Sequence, residues 1–261
     1  MHEALYKLIR VQMIFHPDWG LWKKIGIIIR SIVFNLIQFF STVVFGLLCP
    51  LIWPLPFPAR HWFATLWVHL NLWCLAKICS LTYRIEGKEN IPATPGVVLC
   101  KHESAWETLA LQATFRPQVW VLKRELMWVP FLGWALAVLR PIAIDRKMTH
   151  RALAHVVGQG CNCLEEGIWV TIFPEGTRVA PGEKGYYFSG GALLAKRSGS
   201  YVLPVAHNAG NFWPRHSFIK KPGTIRMVIG PVIESEGRSA AEINALSKKW
   251  IEDTVERIRN Y

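Results

Sequence analysis

Charge is scarce in this chain and is missing altogether from one long stretch. Only 18% of the 261 residues are charged, and no side chain from Ser31 to Pro58 carries a charge. An ordinary soluble domain is therefore excluded as the whole account of the molecule, since most of the polar deficit falls before residue 85. Acidic groups are the scarcer sign, 18 Asp and Glu against 30 Lys and Arg, for a net charge of +12. Such a balance selects anionic partners. It comes without zinc-ligand spacing or an RNA-binding aromatic signature, which argues against nucleic acid and for lipid headgroups or phosphate-bearing substrates. Cys-x-x-Cys is also missing. Cys49, Cys74, Cys79, Cys100, Cys161 and Cys163 are spaced otherwise, several within apolar runs, so packed, reduced thiols are expected and a disulfide framework is not. Internal repeats and low-complexity tracts are absent.

What fills the uncharged stretch is apolar. As a helix, Ser31 to Ile52 would cover roughly 33 Å at about 1.5 Å per residue, enough for one membrane crossing. A second apolar stretch, Trp62 to Tyr83, is interrupted by His69 and Lys77. Between them, Cys49 to Pro58 holds four prolines that break both helices, yet it stays apolar where an aqueous loop would be polar. Residues 25–83 thus read as a membrane-embedded helical hairpin, spanning or re-entrant, after a short segment 1–24 and before a domain over 84–261. Lys7, Arg10, Lys23, Lys24 and Arg30 precede the hairpin, Lys77, Arg84 and Lys88 follow it, and only Arg60 lies in the connection. That bias places both ends on the cytoplasmic side of the cytoplasmic membrane. A cleaved signal peptide does not fit, because the apolar region is too long, too far from Met1 and without a small-residue cleavage site. Trp19, Trp22, Trp62 and Trp67 are candidates for interface anchors or for core aromatics alike.

Beyond the hairpin, short β-rich runs alternate with helical patterns. The strands fall at Tyr83–Gly87, Val97–Cys100, Val119–Lys123, Ile142–Ile144, Trp169–Phe173, Tyr201–Ala206 and Arg226–Ile229. The helices fall at Ser104–Thr114, Glu125–Val138, Thr149–Glu166 and Gly191–Arg197. This alternation indicates an α/β layered domain. Ile243, Leu246, Trp250, Ile251, Val255 and Ile258 recur at helical spacing, so residues 239–259 form an amphipathic helix docked on it.

Two polar motifs stand at the ends of apolar runs, Lys101-His102-Glu103-Ser104-Ala105-Trp106-Glu107 and Phe173-Pro174-Glu175-Gly176-Thr177-Arg178. In α/β sheets, side chains and helix N-termini converge beyond the carboxyl ends of strands, so residues 73 apart could meet there. Were both in one helix, His102 and Glu107 would lie on different faces. With His102 in the loop and the helix starting at Ser104, Glu107 can reach back to the imidazole, fixing its tautomer and leaving the other nitrogen as a general base. Ser104 to Glu107 is equally a capping box, with Glu107 folded onto the Ser104 N–H. Cys100, at a strand position, reads as a buried thiol, not a nucleophile. In the second motif, Pro174 stops the strand, Gly176 admits close backbone approach, and Thr177 and Arg178 suit a phosphate. Glu175 needs a cation or a substrate hydroxyl beside it.

Together the motifs resemble the glycerolipid acyltransferases, in particular the bacterial lysophosphatidate acyltransferases. His102 to Glu107 is similar to their His-x-x-x-x-Asp block, and Phe173 to Arg178 matches Phe-Pro-Glu-Gly-Thr-Arg without change. Lys123-Arg124-Glu125-Leu126 and Ile142 to Arg146 resemble a further block, and Val202 to Val205 another. The resemblance covers roughly residues 80 to 210. It implies a domain with a central mixed sheet, and transfer of a fatty acyl group from acyl-CoA or acyl-carrier protein to the free hydroxyl of a lysophospholipid, giving phosphatidate. By the same resemblance His102 is the base, Glu107 orients it, Glu175, Gly176, Thr177 and Arg178 hold the glycerol phosphate, and Lys123, Arg146 and Arg140 are phosphate ligands. It implies neither metal nor cofactor, the thioester being already activated. His150 and His155, five apart, do not have the spacing of zinc ligands on one helix face. Two departures stand out. Glu107 replaces Asp, adding a methylene, and Arg140-Pro141 and Ala143 stand where Gly and Phe are usual. Another lysolipid acceptor, such as a lyso-ornithine lipid, and a non-catalytic lipid-binding protein are the alternatives.

Overall fold

The computed structural model describes residues 19–145 and 149–259. Its strands are β1 (Leu81–Glu86), β2 (Val97–Cys100), β3 (Gln118–Lys123), β4 (Ile142–Ile144), β5 (Trp169–Ile172), β6 (Val202–His207) and β7 (Gly223–Ile229). They form one sheet in the order β1-β7-β6-β2-β5-β3-β4. The β6–β7 pair alone among the pairings is antiparallel, so β1 and β7 run against the other five and the sheet is mixed.

The period-2 alternation of the strands sorts their side chains to two apolar faces. Val98, Cys100, Trp120, Leu203 and Met227 pack under helices α1 (Leu21–Leu48), α2 (Phe57–Ile78) and α3 (Trp106–Thr114). Val97, Leu99, Val119 and Val170 face α5 (Thr149–Glu165), α6 (Gly190–Ser198) and α7 (Ala240–Arg259), through Val156, Leu194, Ile251 and Val255. A short helix, α4 (Leu132–Ala137), precedes β4. The result is a three-layer α/β/α domain of the expected class.

One expected helix is divided. In place of a continuous helix over 125–138, a 3-10 helix (Arg124–Trp128) is followed by α4. Pro130 is the cause, since a proline disfavours helical geometry in the residue before it, and Val129 is extended at φ −72° and ψ 118°.

The hairpin is less separate than the sequence suggests. Leu21–Ile52, α1 with its 3-10 continuation, is the one helix among the described residues long and apolar enough to cross a membrane. Helix α2 instead buries Phe57, His61, Thr65, Val68, Asn71, Leu72, Cys74 and Leu75. Phe34, Leu72 and Leu75 belong to the same core as the sheet. At about 1.5–3 kcal/mol for each fully buried large apolar side chain, these three hold hairpin and domain together by on the order of 5 kcal/mol. Contacts run along α1. The Ser31 hydroxyl accepts the Lys220 N–H at 3.0 Å, Lys220 Nζ donates to Asn35 Oδ1 at 2.5 Å, and Phe34 meets Trp213 edge-on. Near the other end, Gly46 lies so close to Phe131 that a Cβ there would stand 2.6 Å from its carbonyl oxygen.

Candidate active site

β2 and β5 are adjacent and parallel, with Leu99 opposite Ile172, so the loops leaving their carboxyl ends meet. His102 and Glu175 are thereby joined, the His102 N–H donating to Glu175 Oε2 at 2.8 Å. The His102 carbonyl accepts the Val179 N–H at 2.9 Å, and its ring stacks on Phe173 with centroids 3.9 Å apart. Helix α3 begins at Trp106, two residues later than expected, and this leaves Glu107 in its first turn.

Glu107 Oε1 lies 2.7 Å from His102 Nδ1 and also accepts the Glu103 and Ser104 N–H groups, at 3.1 and 2.9 Å. Cap and imidazole partner, alternatives in the sequence, are one carboxylate here. Its side chain is fully buried. Burial would push the Glu107 carboxyl up, but His207 and the bonds from His102 and Ser104 outweigh it and hold it below the usual carboxylate range. An ionised Glu107 makes Nδ1 the protonated nitrogen of a neutral His102, and no hydrogen bond among the described residues engages Nε2. Burial lowers the His102 proton affinity below the ordinary histidine value. Glu107 counters this in part, and the nearby Arg178 charge adds to the lowering.

The other expected residues divide. Gly176, at φ +65°, makes the left-handed turn that a glycine tolerates, with the Phe188 ring 3.1 Å from where a Cβ would stand. Thr177 is exposed and Arg178 half-buried, its carbonyl accepting Arg215 Nη1 at 2.6 Å. No carboxylate among the described residues is paired with the Arg178 guanidinium. Lys123 ends β3 on the same sheet edge, half-exposed and 3.2 Å from Glu125. Arg146 lies outside the described residues.

Two of the expected ligands stand elsewhere. Glu175 is buried, one oxygen on the His102 N–H and the other on Lys101 Nζ at 2.7 Å, so its carboxylate faces inward and is not presented to a ligand. Arg140 precedes β4, which is parallel to β3, and so lies at the opposite end of the sheet from His102. There it forms a bidentate pair with Glu166 at 2.7 and 3.0 Å.

Sequence reasoning missed Lys101, His207, Arg215 and Glu252. His207 Nδ1 accepts the Ala209 N–H, so its Nε2–H donates to the Lys101 carbonyl at 2.8 Å, while the ring stands 3.8 Å from Glu107 Oε2. Lys101 could have been found, because it shares the parity of Val97 and Leu99 and so points into the core, where a cation needs carboxylates. Cys100, of the other parity, is fully buried with its thiol pushed well up by burial, in keeping with a structural role. No group of His, Cys, Asp and Glu able to hold a metal occurs among the described residues.

A buried carboxylate–histidine pair thus stands beside an arginine without a carboxylate partner among the described residues, at the carboxyl edge of an α/β sheet, an arrangement able to support general-base chemistry on an anionic substrate. The Acyltransferase family matches residues 82–208. A 1-acyl-sn-glycerol-3-phosphate acyltransferase of Pseudomonas aeruginosa is 46% identical over 235 residues, covering 88% of this chain and 91% of its own. One of Borreliella burgdorferi is 28% identical over 64% of this chain and 66% of its own. The crystal structure of the 1-acyl-sn-glycerophosphate acyltransferase of Thermotoga maritima superposes with a TM-score of 0.76 at 21% identity, over 91% of this chain and 98% of that one, and shares the fold. The chain belongs to the 1-acyl-sn-glycerol-3-phosphate acyltransferase family.

Proposed function

We infer that the protein is a 1-acylglycerol-3-phosphate O-acyltransferase, moving a fatty acyl group from a thioester to the free sn-2 hydroxyl of 1-acyl-sn-glycerol-3-phosphate in phospholipid biosynthesis. The observation that carries this reading is the 2.7 Å His102–Glu107 pair beside Arg178, in a chain of this family. His102 Nε2 takes the hydroxyl proton as the oxygen attacks the thioester carbonyl, and the ionised Glu107 stabilises the imidazolium formed. Collapse of the tetrahedral intermediate breaks the C–S bond, and the thiolate leaves with the proton from His102. Ester and free thiol are the products. Arg178, Thr177 and Lys123 bind the phosphate, Arg178 by its planar fork.

The donor is acyl-CoA or acyl-carrier protein. An apolar cavity of ≈ 160 Å³ lies between the hairpin and helices α3 and α4, lined in part by Phe45, Leu109, Trp120, Leu136 and Leu139. Trp120, which lines the cavity, stacks on Phe173 and Phe173 on His102, so two stacked rings connect the cavity to the base, and the cavity suits the acyl chain.

The hairpin works as an in-plane anchor in the cytoplasmic leaflet. Ser31 and Gly46, both against the domain, are about 22 Å apart along α1 at 1.5 Å per residue. A perpendicular α1 would carry the domain through most of a hydrocarbon core of about 30 Å. Lying in the interface, it exposes Trp22, Trp53, Trp62 and Trp73 to lipid while Trp67 bonds Ser41 within the hairpin.

Thiol release from acyl-CoA by the purified protein tests the reading. Release with lysophosphatidate exceeding that with other lysolipids, and abolished in His102→Ala, is expected. Turnover retained by His102→Ala would sink the mechanism, and no turnover with any lysolipid would favour a binding protein.

A further inference from the structure

The two sequence neighbours of His102 are both fully buried and charged, and both end on the C-terminal helix. Lys101 Nζ donates to Glu252 Oε1 at 2.8 Å, and Arg259 Nη2 donates to Glu103 Oε1 at 2.5 Å. Glu252 and Arg259 are seven apart, two turns of α7, and so share one face of it. The first tie continues inward. Lys101 Nζ also bonds Glu175 Oε1 at 2.7 Å and the Glu183 carbonyl at 3.3 Å, and Glu175 Oε2 holds the His102 N–H. Tyr187 donates its hydroxyl to the Glu252 oxygen that Lys101 uses.

Even a well-bonded buried ion cluster is often no more stabilising than apolar residues of similar volume, so this arrangement is a poor means of stabilising a core. It is a good means of fixing geometry. Burial pulls Lys101 down, but Glu175 and Glu252 outweigh it and hold the ammonium charged, which keeps the three side chains in one arrangement. Helix α7 lies outside the stretch matched to the Acyltransferase family, residues 82–208.

We propose that α7 is a clamp on the catalytic loop, with Glu252, through Lys101 and Glu175, and Arg259, through Glu103, as positioning residues that set the backbone and hence the ring of His102. They act on His102 through its neighbours and not on the reacting atoms. The inference rests on His102 being the base of the proposed reaction.

The test measures kcat and KM for both substrates in full-length variants whose thermal melts show them folded. Because displacing a reacting group by about 1 Å costs about 100-fold, Lys101→Met is expected to lose about 10- to 100-fold in kcat with both KM values within about threefold. Glu252→Ala should lose kcat likewise, and Glu252→Gln, which keeps an acceptor oxygen for Lys101 and Tyr187, should regain most of it. A merely structural role would lower the melting temperature and leave kcat per folded enzyme unchanged. If Lys101→Met does not fold, Glu252→Gln and Tyr187→Phe, which keep the packing, carry the comparison. Folded Glu252→Ala and Arg259→Met enzymes with wild-type kcat, or with raised KM alone, overturn the clamp. A fully active His102→Ala overturns the base assignment itself, whereas an inactive His102→Ala beside fully active Lys101 and Glu252 variants overturns only the positioning inference.

Discussion

One oxygen of Glu107 serves both the His102 ring and the start of α3, accepting Nδ1 at 2.7 Å and the Glu103 and Ser104 N–H groups at 3.1 and 2.9 Å. Because the helix starts at Trp106, Glu107 bends back over its own first turn, and the methylene by which Glu exceeds Asp is taken up by that bend. Catalytic geometry and helix start are therefore specified by the same side chain.

Glu107→Gln separates the two roles. A Gln oxygen can still accept the loop N–H groups, so the stability loss should stay near that of a weakened cap, about 1 kcal/mol. The amide cannot stabilise an imidazolium, and it presents a donor that favours the wrong tautomer. A carboxylate-to-amide change in a serine-protease triad costs about 10⁴-fold, so a kcat loss of about 10³- to 10⁴-fold is expected. Comparable losses in melting temperature and activity, or activity within tenfold of wild type, would make Glu107 only a cap.

The pH dependence has a definite sign. His102 must be neutral to act, and burial holds its proton affinity below the ordinary value despite Glu107. The acid limb of kcat/KM should therefore fall below the ordinary histidine value of about 6.5. Glu107→Gln removes the charge that opposes the lowering, so its residual activity should show a limb displaced further toward acid. A displacement toward alkali would contradict the assignment of Glu107 as the partner that stabilises the imidazolium.

Arginines 178 and 140 give a contrasting pair. Arg178→Met removes a guanidinium near His102 and should raise KM for lysophosphatidate by about 10- to 100-fold, as expected when a charge-assisted phosphate contact worth about 1.5–3 kcal/mol is lost. KM for the thioester should change little. Arg140→Met breaks an exposed pair with Glu166 at the far end of the sheet, so it should leave both KM values unchanged and cost at most about 1 kcal/mol of stability. An Arg140 variant with the larger KM effect would reverse this placement.

Much of this site was legible before the structure because apolar runs locate strands and short motifs locate their carboxyl ends. Val97 to Cys100 and Trp169 to Ile172 fall where β-rich composition puts them, and their parallel pairing brings His102 and Glu175 together. Burial of charge was harder to read. Glu175 belongs to a motif suited to phosphate, yet its partner is the inward-pointing Lys101, whose second carboxylate comes from Glu252, 151 residues away. No local pattern connects residues so distant. The same limit misplaced Arg140, since the sequence gives its distance from the motif along the chain and not the end of β4 at which it stands. Which side of the second apolar stretch meets protein was hidden for a related reason. Leu72 and Leu75 face the sheet core, and apolar residues look alike whether they meet lipid or protein.

The topology of the hairpin can be decided from its connecting segment. In an in-plane anchor, Trp53 and Leu55 lie in the leaflet that carries the domain. In a spanning pair they would reach the far aqueous surface. Single cysteines introduced between Leu47 and Phe63, in a chain whose six native cysteines are replaced, would be exposed in intact cells to a membrane-impermeant thiol reagent. The contacts of α1 with the domain at Ser31 and at Gly46 predict no labelling from outside at Trp53→Cys or Leu55→Cys, and labelling only after the inner face is opened to the reagent or the lipid is dissolved. The native residues replaced at these test positions are exposed, so the substitutions should not disturb packing. Labelling from outside would require α1 to stand across the bilayer, and the domain contacts at one of its ends would then have to break.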